Sequence, residues 1–198
     1  MTLSPSSDWP ACIITAFDFV GTKSVAASGR ASFAMMEMHR FAVAKINSGL
    51  PNHSHGYVWN DSVLLLSYNT TPAHTRLAVL HELSEFKRAL ELQSGIRTYA
   101  MAVRGRTFPD HTLTTPVFQG PPAGQPRAIV LKTSSWAMAN CFLIEKALKR
   151  HRADWYIDSR ITRGTGLPEP FATELVSLLP KNEERSINMY KGFFHVEV

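Results

Sequence analysis

Cys12-Ile13-Ile14-Thr15-Ala16-Phe17-Asp18-Phe19-Val20-Gly21 is the stretch on which the fold turns. Nearly every position is apolar and there is no alternation of apolar with polar residues. That is the pattern of a central strand covered on both faces, and residues 11–20 are expected to form it. Asp18 breaks the run near its end, where burying a carboxylate without a partner is costly. Gly21-Thr22-Lys23-Ser24 then supplies a turn, with Thr22 or Ser24 placed to cap the next helix.

Downstream of that strand, residues 25–48 are expected to be helical, with Ala27, Ala31, Ala34, Met38, Phe41 and Ala42 on one face. Ser48-Gly49-Leu50-Pro51-Asn52 stops the helix. Strands at about 55–59 and 62–68 flank Asn60-Asp61, which has the chemistry of a two-residue hairpin turn. A second helix over 73–93 carries Val79, Leu83, Phe86 and Leu90 at helical spacing and ends at Gly95. A fourth strand follows over 96–104. The order β-α-β-β-α-β is the ferredoxin-like pattern, which makes the class α+β. Residues 105–126 are rich in Pro and Gly and read as a loop or projecting arm. Beyond it the pattern predicts a short strand (128–132), a helix (134–150) and a strand around Trp155-Tyr156-Ile157-Asp158. A loop from Gly164 to Pro170, a short helix from Glu169 to Leu179 and an edge strand from Lys191 to Val198 complete the chain. The whole of 1–198 reads as one domain, with its core at about 11–160 and a C-terminal extension over 161–198.

Composition narrows the class. With 198 residues, 44% hydrophobic and 19% charged, the chain is globular rather than disordered. Its formal charge of +5 suits an anionic ligand as well as it suits an ordinary solvated surface. Cys12 and Cys141 lie in apolar stretches without zinc-like spacing and read as small core residues. The N-terminus lacks the pattern of a secretory signal, and no apolar run approaches the ~20 residues of a membrane span. A reduced, cytoplasmic protein with no membrane partner is the expectation.

Asp61 gives Asp18 a partner. In a β-α-β-β sheet the end of the first strand and the hairpin lie side by side. Two neighbouring carboxylates repel and lose hydration, and a divalent cation relieves both. Mg²⁺ takes one or two carboxylates and completes its shell with water and phosphate oxygens. A pair of metals would activate a 3′-hydroxyl and neutralise a triphosphate. The competing reading is local, with Asp18 capping a turn and Asp61 an ordinary turn residue.

Ala16-Phe17-Asp18-Phe19-Val20-Gly21-Thr22 resembles the first-strand motif of class III adenylate and guanylate cyclases. Asn60-Asp61 lies where these cyclases carry the second metal-binding Asp, and Asp61-Ser62 is similar to the hairpin of uncharacterised bacterial cyclase-like proteins. Arg97-Thr98-Tyr99-Ala100-Met101-Ala102-Val103-Arg104-Gly105 is similar to their following strand, and Cys141-Phe142-Leu143-Ile144-Glu145 to a later helix. The likeness covers roughly 11–160. It implies a ferredoxin-like sheet elaborated as in nucleotidyl cyclase catalytic domains, working as a homodimer. Asp18 and Asp61 would hold Mg²⁺ or Mn²⁺ and act in catalysis. The backbone around Phe19, Gly21 and Thr22 would meet a nucleoside triphosphate, with Arg97 or Arg104 adding positive charge and Asn140 standing for the cyclase Asn. The reaction would be cyclisation with release of pyrophosphate. Four residues beyond Asn140, however, the expected transition-state Arg is replaced by Ile144. Losing one such contact costs ~10²–10³ in rate, so an inactive nucleotide-sensing or protein-interaction module is the alternative. Nucleic acid is disfavoured, because the paired aromatic strand motif of RNA-recognition sheets is absent.

His53-Ser54-His55 is better read as solvated than as a metal site, and His81-Glu82 lacks zincin spacing. Arg104, Arg106 and Arg127 flank the arm and suit either a phosphate or plain solvent.

Overall fold

The computed structural model describes residues 11–21, 31–50, 55–59, 61–68, 70, 72–106, 136–179, 181–192 and 194. In chain order its elements are β1 (Ala11–Phe19), α1 (Ala31–Asn47), β2 (His55–Trp59), β3 (Ser62–Tyr68), α2 (Ala73–Ser94) and β4 (Thr98–Arg106). Then come α3 (Trp136–Leu148) with a 3-10 turn at Lys149–His151, β5 (Trp155–Asp158), α4 (Ser159–Thr162), β6 (Ala172–Leu178) and β7 (Glu183–Tyr190). The strands form one mixed sheet in the order β2-β3-β1-β4-β5-β7-β6. Only β4 and β5 run parallel; the other neighbours are antiparallel.

The near-continuous apolar run of β1 follows from its central place, because both faces of the sheet are covered. Side chains alternate along the strand. Ile13, Phe17 and Phe19 enter a core with Met38 and Ala42 of α1 and Val79, Leu80, Leu83, Phe86 and Leu90 of α2. Cys12, Ile14 and Ala16 enter the opposite core with Ala137, Cys141, Ile144 and Leu148 of α3. The even-numbered Asp18 therefore belongs to the α3 side of the sheet, and Phe19 to the other. Helix α3 lies close to β4: a Cβ built at Gly105 would stand 2.7 Å from the Ala137 Cβ, so only glycine allows this approach.

The C-terminal third departs from the sequence reading. Residues 169–179 were expected to be helical, yet 172–178 is the edge strand β6. Val176 and Leu178 are buried while Thr173 and Leu175 are not, a period of two over a segment too short to show a helical period. Strand β7 has no counterpart in the expected elements. Its first half is Glu183-Glu184-Arg185, which looks like a loop until Ile187 and Met189 are seen to pack under α3. The edge strand expected over 191–198 is not formed at Lys191, Gly192 or Phe194, and the rest of that segment lies outside the described residues. So do the strand expected at 128–132 and most of the expected arm, of which Gly105 and Arg106 still belong to β4. Among the described residues no helix is long and apolar enough to cross a membrane.

Candidate functional site

Register brings the two predicted carboxylates together. Asp18 is paired with Ser62 on β3 and with Tyr99 on β4. Asp61 immediately precedes Ser62, and its carbonyl accepts a hydrogen bond from the Phe19 N–H at 3.3 Å. Asp18 Oδ1 accepts from the Ser62 hydroxyl at 2.9 Å. Asp18 Oδ2 lies 2.5 Å from the Tyr99 hydroxyl. That same hydroxyl is 2.6 Å from Glu145 Oε1 on α3. Lys149, one turn further along, donates to Glu145 at 2.8 Å and to the Tyr99 oxygen at 3.2 Å. The result is a chain Ser62–Asp18–Tyr99–Glu145–Lys149 across β3, β1, β4 and the end of α3.

The electrostatics follow from this geometry. Burial is the largest influence on Asp18 and pushes its pKa up; the hydroxyls of Tyr99 and Ser62 pull it down, and the charges of Asp61 and Glu145 push it up again. The Tyr99 phenol is also pushed up, by burial first and then by its two carboxylate partners. One phenolic proton cannot serve both carboxylates at once. Lys149 is held above its ordinary range, chiefly by its bond to Glu145, with Asp18 and Asp61 adding to the effect. Three acidic groups thus share one nearby ammonium.

Asp18 and Asp61 have the donor chemistry that a divalent cation would take. Asp18 Oδ1 accepts from the Ser62 hydroxyl, Oδ2 shares the Tyr99 proton with Glu145, and each oxygen keeps a further lone pair. Among the described residues no three His, Cys, Asp or Glu side chains converge as a closed metal site would require. Two carboxylates with the remaining positions left to water and phosphate is the arrangement Mg²⁺ favours.

The other predicted residues are placed differently. The Phe19 side chain is buried in the α1–α2 core. Its amide bonds Asp61, and the Val20 amide bonds the Arg97 carbonyl at 2.9 Å, so neither is open to a phosphate. Gly21 turns the chain with φ 77°, and Thr22 lies outside the described residues. Arg97 is at the Asp18 end of the sheet, but its guanidinium is bound to Asp154 at 2.6 and 3.0 Å. Arg104 is not brought to Asp18 at all. It pairs with Ile13, five positions along β4 from Tyr99, or roughly 17 Å at the rise of a strand. Asn140 is 4% exposed, and its amide accepts from the Leu179 N–H at 2.9 Å and donates to the Leu179 carbonyl at 3.2 Å. It anchors the end of β6. Ile144 is completely buried in the α3 core.

Sequence reasoning missed Tyr99, Ser62 and Lys149. Only the pairing register makes Tyr99 and Ser62 neighbours of Asp18. The spacing of Glu145 and Lys149 was visible as an i,i+4 pair, but not the strand it faces.

Two solved structures share this architecture, both described as a bacterial light-regulated adenylyl cyclase. One superimposes with a TM-score of 0.57 at 7% identity over 99% of this chain, which spans 55% of that longer chain. The other has a TM-score of 0.52 at 7% identity, covering 94% of this chain and 93% of its own. The fold is therefore cyclase-like. No family model matches the sequence, and no curated protein does.

Proposed function

We propose that this cyclase-like domain binds Mg²⁺ or Mn²⁺ together with the phosphates of a nucleotide at Asp18 and Asp61, and that one chain alone does not turn the nucleotide over. The reading rests on one observation: the β1–β3 register sets Asp18 opposite Ser62 and next to Asp61. When bound, the cation would neutralise phosphate charge. Ser62 and Tyr99 orient the Asp18 carboxylate, and Lys149 provides the nearest ammonium. The ferredoxin-like reading of the first four strands is supported by their order β2-β3-β1-β4.

Absence of turnover rests on α3. Asn140 is committed to Leu179, and Ile144, buried in the core, stands where the cyclase resemblance expects an Arg to steady developing phosphate charge. A second reading, cyclisation at the interface of a homodimer, is favoured by the likeness to structures described as adenylyl cyclases.

Calorimetric titration of Mn²⁺, with and without ATP or GTP, into wild type and the isosteric Asp18→Asn/Asp61→Asn double variant tests the site. Binding by wild type and at least tenfold weaker binding by the variant are expected. Equal binding by both sinks the proposal. Pyrophosphate release by wild type, lost in the variant, moves the assignment to the enzymatic reading.

A further inference from the structure

Cations gather where β4 and β5 begin and β7 ends. Ala100 pairs with Trp155, and Trp155 with Tyr190, in one row across the three strands. Arg97, Arg152 and Lys191 each lie within three residues of that row, on its outer side. Lys149 and Arg150 come just before Arg152, on the turn that closes α3. The Arg152 carbonyl accepts from Lys191 Nζ at 2.5 Å and from a terminal nitrogen of Arg97 at 3.5 Å, so two positive heads share one acceptor. Lys191 Nζ also lies 5.6 Å from the centre of the exposed Phe171 ring.

The acids of this region lie beneath the cations. Arg97, Lys149 and Arg150 pair with Asp154, Glu145 and Glu174. In each pair the cation is the more exposed member, 66% against 31% in the least unequal. Arg152 and Lys191 are exposed, and among the described residues neither has an ion pair. The face turned to solvent is therefore positive. The Arg152 backbone is a separate observation. Its φ of 51° and ψ of 37° put it in the left-handed region, where a side chain is strained and glycine is the usual occupant at a helix end. Among the described residues the other non-glycine with positive φ is Asn182, a type that tolerates it. The chain thus keeps an exposed, unpaired arginine where glycine would fold at less cost, and such strain is concentrated at functional positions.

We infer that this turn is a binding surface for a polyphosphate chain, free or carried by a nucleotide. Arg152 and Lys191 take the phosphates, and Arg97, Lys149 and Arg150 surround them with positive charge. The guanidinium offers a planar bidentate fork and the ammonium a point charge. Heads spread over three strand ends call for several linked phosphates rather than one. The surface is distinct from the Asp18–Asp61 pair, since β5 and β7 are two and three strands away from β1, roughly 10 and 14 Å at the spacing of a sheet. It needs no metal, because the chain supplies the positive charge.

The test titrates the full chain with inorganic tripolyphosphate and, in a separate arm, with ATP. Both arms contain excess chelator at low ionic strength, where such contacts are least screened. Calorimetry reads affinity and thermal unfolding reads stability. Wild type is expected to bind, and to bind more weakly as salt is raised. Arg152→Gly should weaken binding at least fivefold and yet melt no lower than wild type without ligand, because glycine relieves the left-handed backbone. Arg152→Asn loses the charge and also tolerates that conformation, so it should behave in the same way. Asp18→Asn/Asp61→Asn should bind as wild type does in chelator, so failure of the metal site and failure of this surface are read apart. Tighter binding of ATP identifies the source as a nucleotide; ATP no tighter than tripolyphosphate identifies the phosphate chain itself. The proposal is overturned by a wild type that binds neither probe, by Arg152→Gly and Arg152→Asn variants that bind as well as wild type, or by both melting lower, which would make Arg152 a structural residue.

Discussion

Replacing Tyr99 by Phe removes one oxygen from the centre of the Asp18 network and leaves the ring in place. The ring is 5% exposed, so its packing against Tyr156 at 6.3 Å is retained. What goes is a hydroxyl within 2.6 Å of two carboxylates that also accepts from Lys149. A hydrogen bond to a charged group contributes about 1.5–3 kcal/mol, and the cost of stranding a partly buried acceptor, about 1–3 kcal/mol, largely overlaps that figure. Because one proton serves one carboxylate at a time, only one such bond is counted. Asp18 keeps only Ser62 as a described partner. A loss of about 2–4 kcal/mol is expected. In a domain of this length that lowers the melting temperature by roughly 4–16 °C. Urea unfolding at pH 7 measures it directly: the midpoint should fall with the slope unchanged. Lys149→Met is the control. Its side chain is 63% exposed, and an exposed pair contributes at most about 1 kcal/mol. A Tyr99→Phe variant within 0.5 kcal/mol of wild type, or no worse than Lys149→Met, would refute the idea that this hydroxyl ties β1, β4 and α3 together.

Two further outcomes follow from the packing and from the buried thiols. Gly105→Ala should cost about 1–3 kcal/mol by forcing a methyl group against Ala137, and Ala137→Gly should restore much of it, as read from unfolding midpoints of the single and double variants. Burial pushes Cys12, Cys141 and Tyr68 up to about 12, so the folded protein keeps protons that the unfolded chain begins to release near pH 8.5 for Cys and near pH 10 for Tyr. Stability should therefore be intact below that window and fall as pH rises through it towards about 12, by up to about 1.4 kcal/mol per pH unit for each buried Cys and by less for the half-buried Tyr68. Melting temperatures from pH 8 to 11 should show this, with a shallower slope in Cys141→Ala.

The sequence was most legible where local and tertiary preferences agree. The β1 run, the hairpin strands 55–59 and 62–68, and the helices around Leu83 and Cys141 stand within a few residues of their expected bounds. These segments carry long apolar stripes whose period matches the element they form. β6 and β7 lack such stripes. β6 is the sheet's far edge and β7 its neighbour, each half exposed, and their apolar residues make sense only once α3 lies over them. The site shows the same division. Asp18 and Asp61 are legible because a charge in an apolar run and an Asp in a hairpin are local anomalies. Tyr99 is not, because tyrosine in a strand is ordinary and its role depends on which residue faces it. Asn140 misled for a related reason: the residue type suits a phosphate, but its amide is used to fasten Leu179.

Strand geometry sets a limit on how one chain can treat a bound phosphate. β1 and β4 are antiparallel, so the end of β1 meets the start of β4, and the acidic group at Asp18 and Asp61 lies at one end of these strands while Arg104 lies towards the other. About 17 Å of strand separates them, too far for Arg104 to steady a phosphate held at Asp18. Arg97 is at the same end as Asp18 but bound to Asp154, and Lys149 is bound to Glu145. Both would have to exchange a carboxylate partner for the phosphate. Lys149 makes that exchange more readily, since its ammonium already lies within the field of Asp18 and Asp61 and 5.3 Å from the Tyr99 ring. Among the described residues of one chain, a positive charge within the field of the proposed metal pair thus comes from a lysine at the end of α3. It does not come from a buried arginine one turn after Asn140, where Ile144 already closes the core.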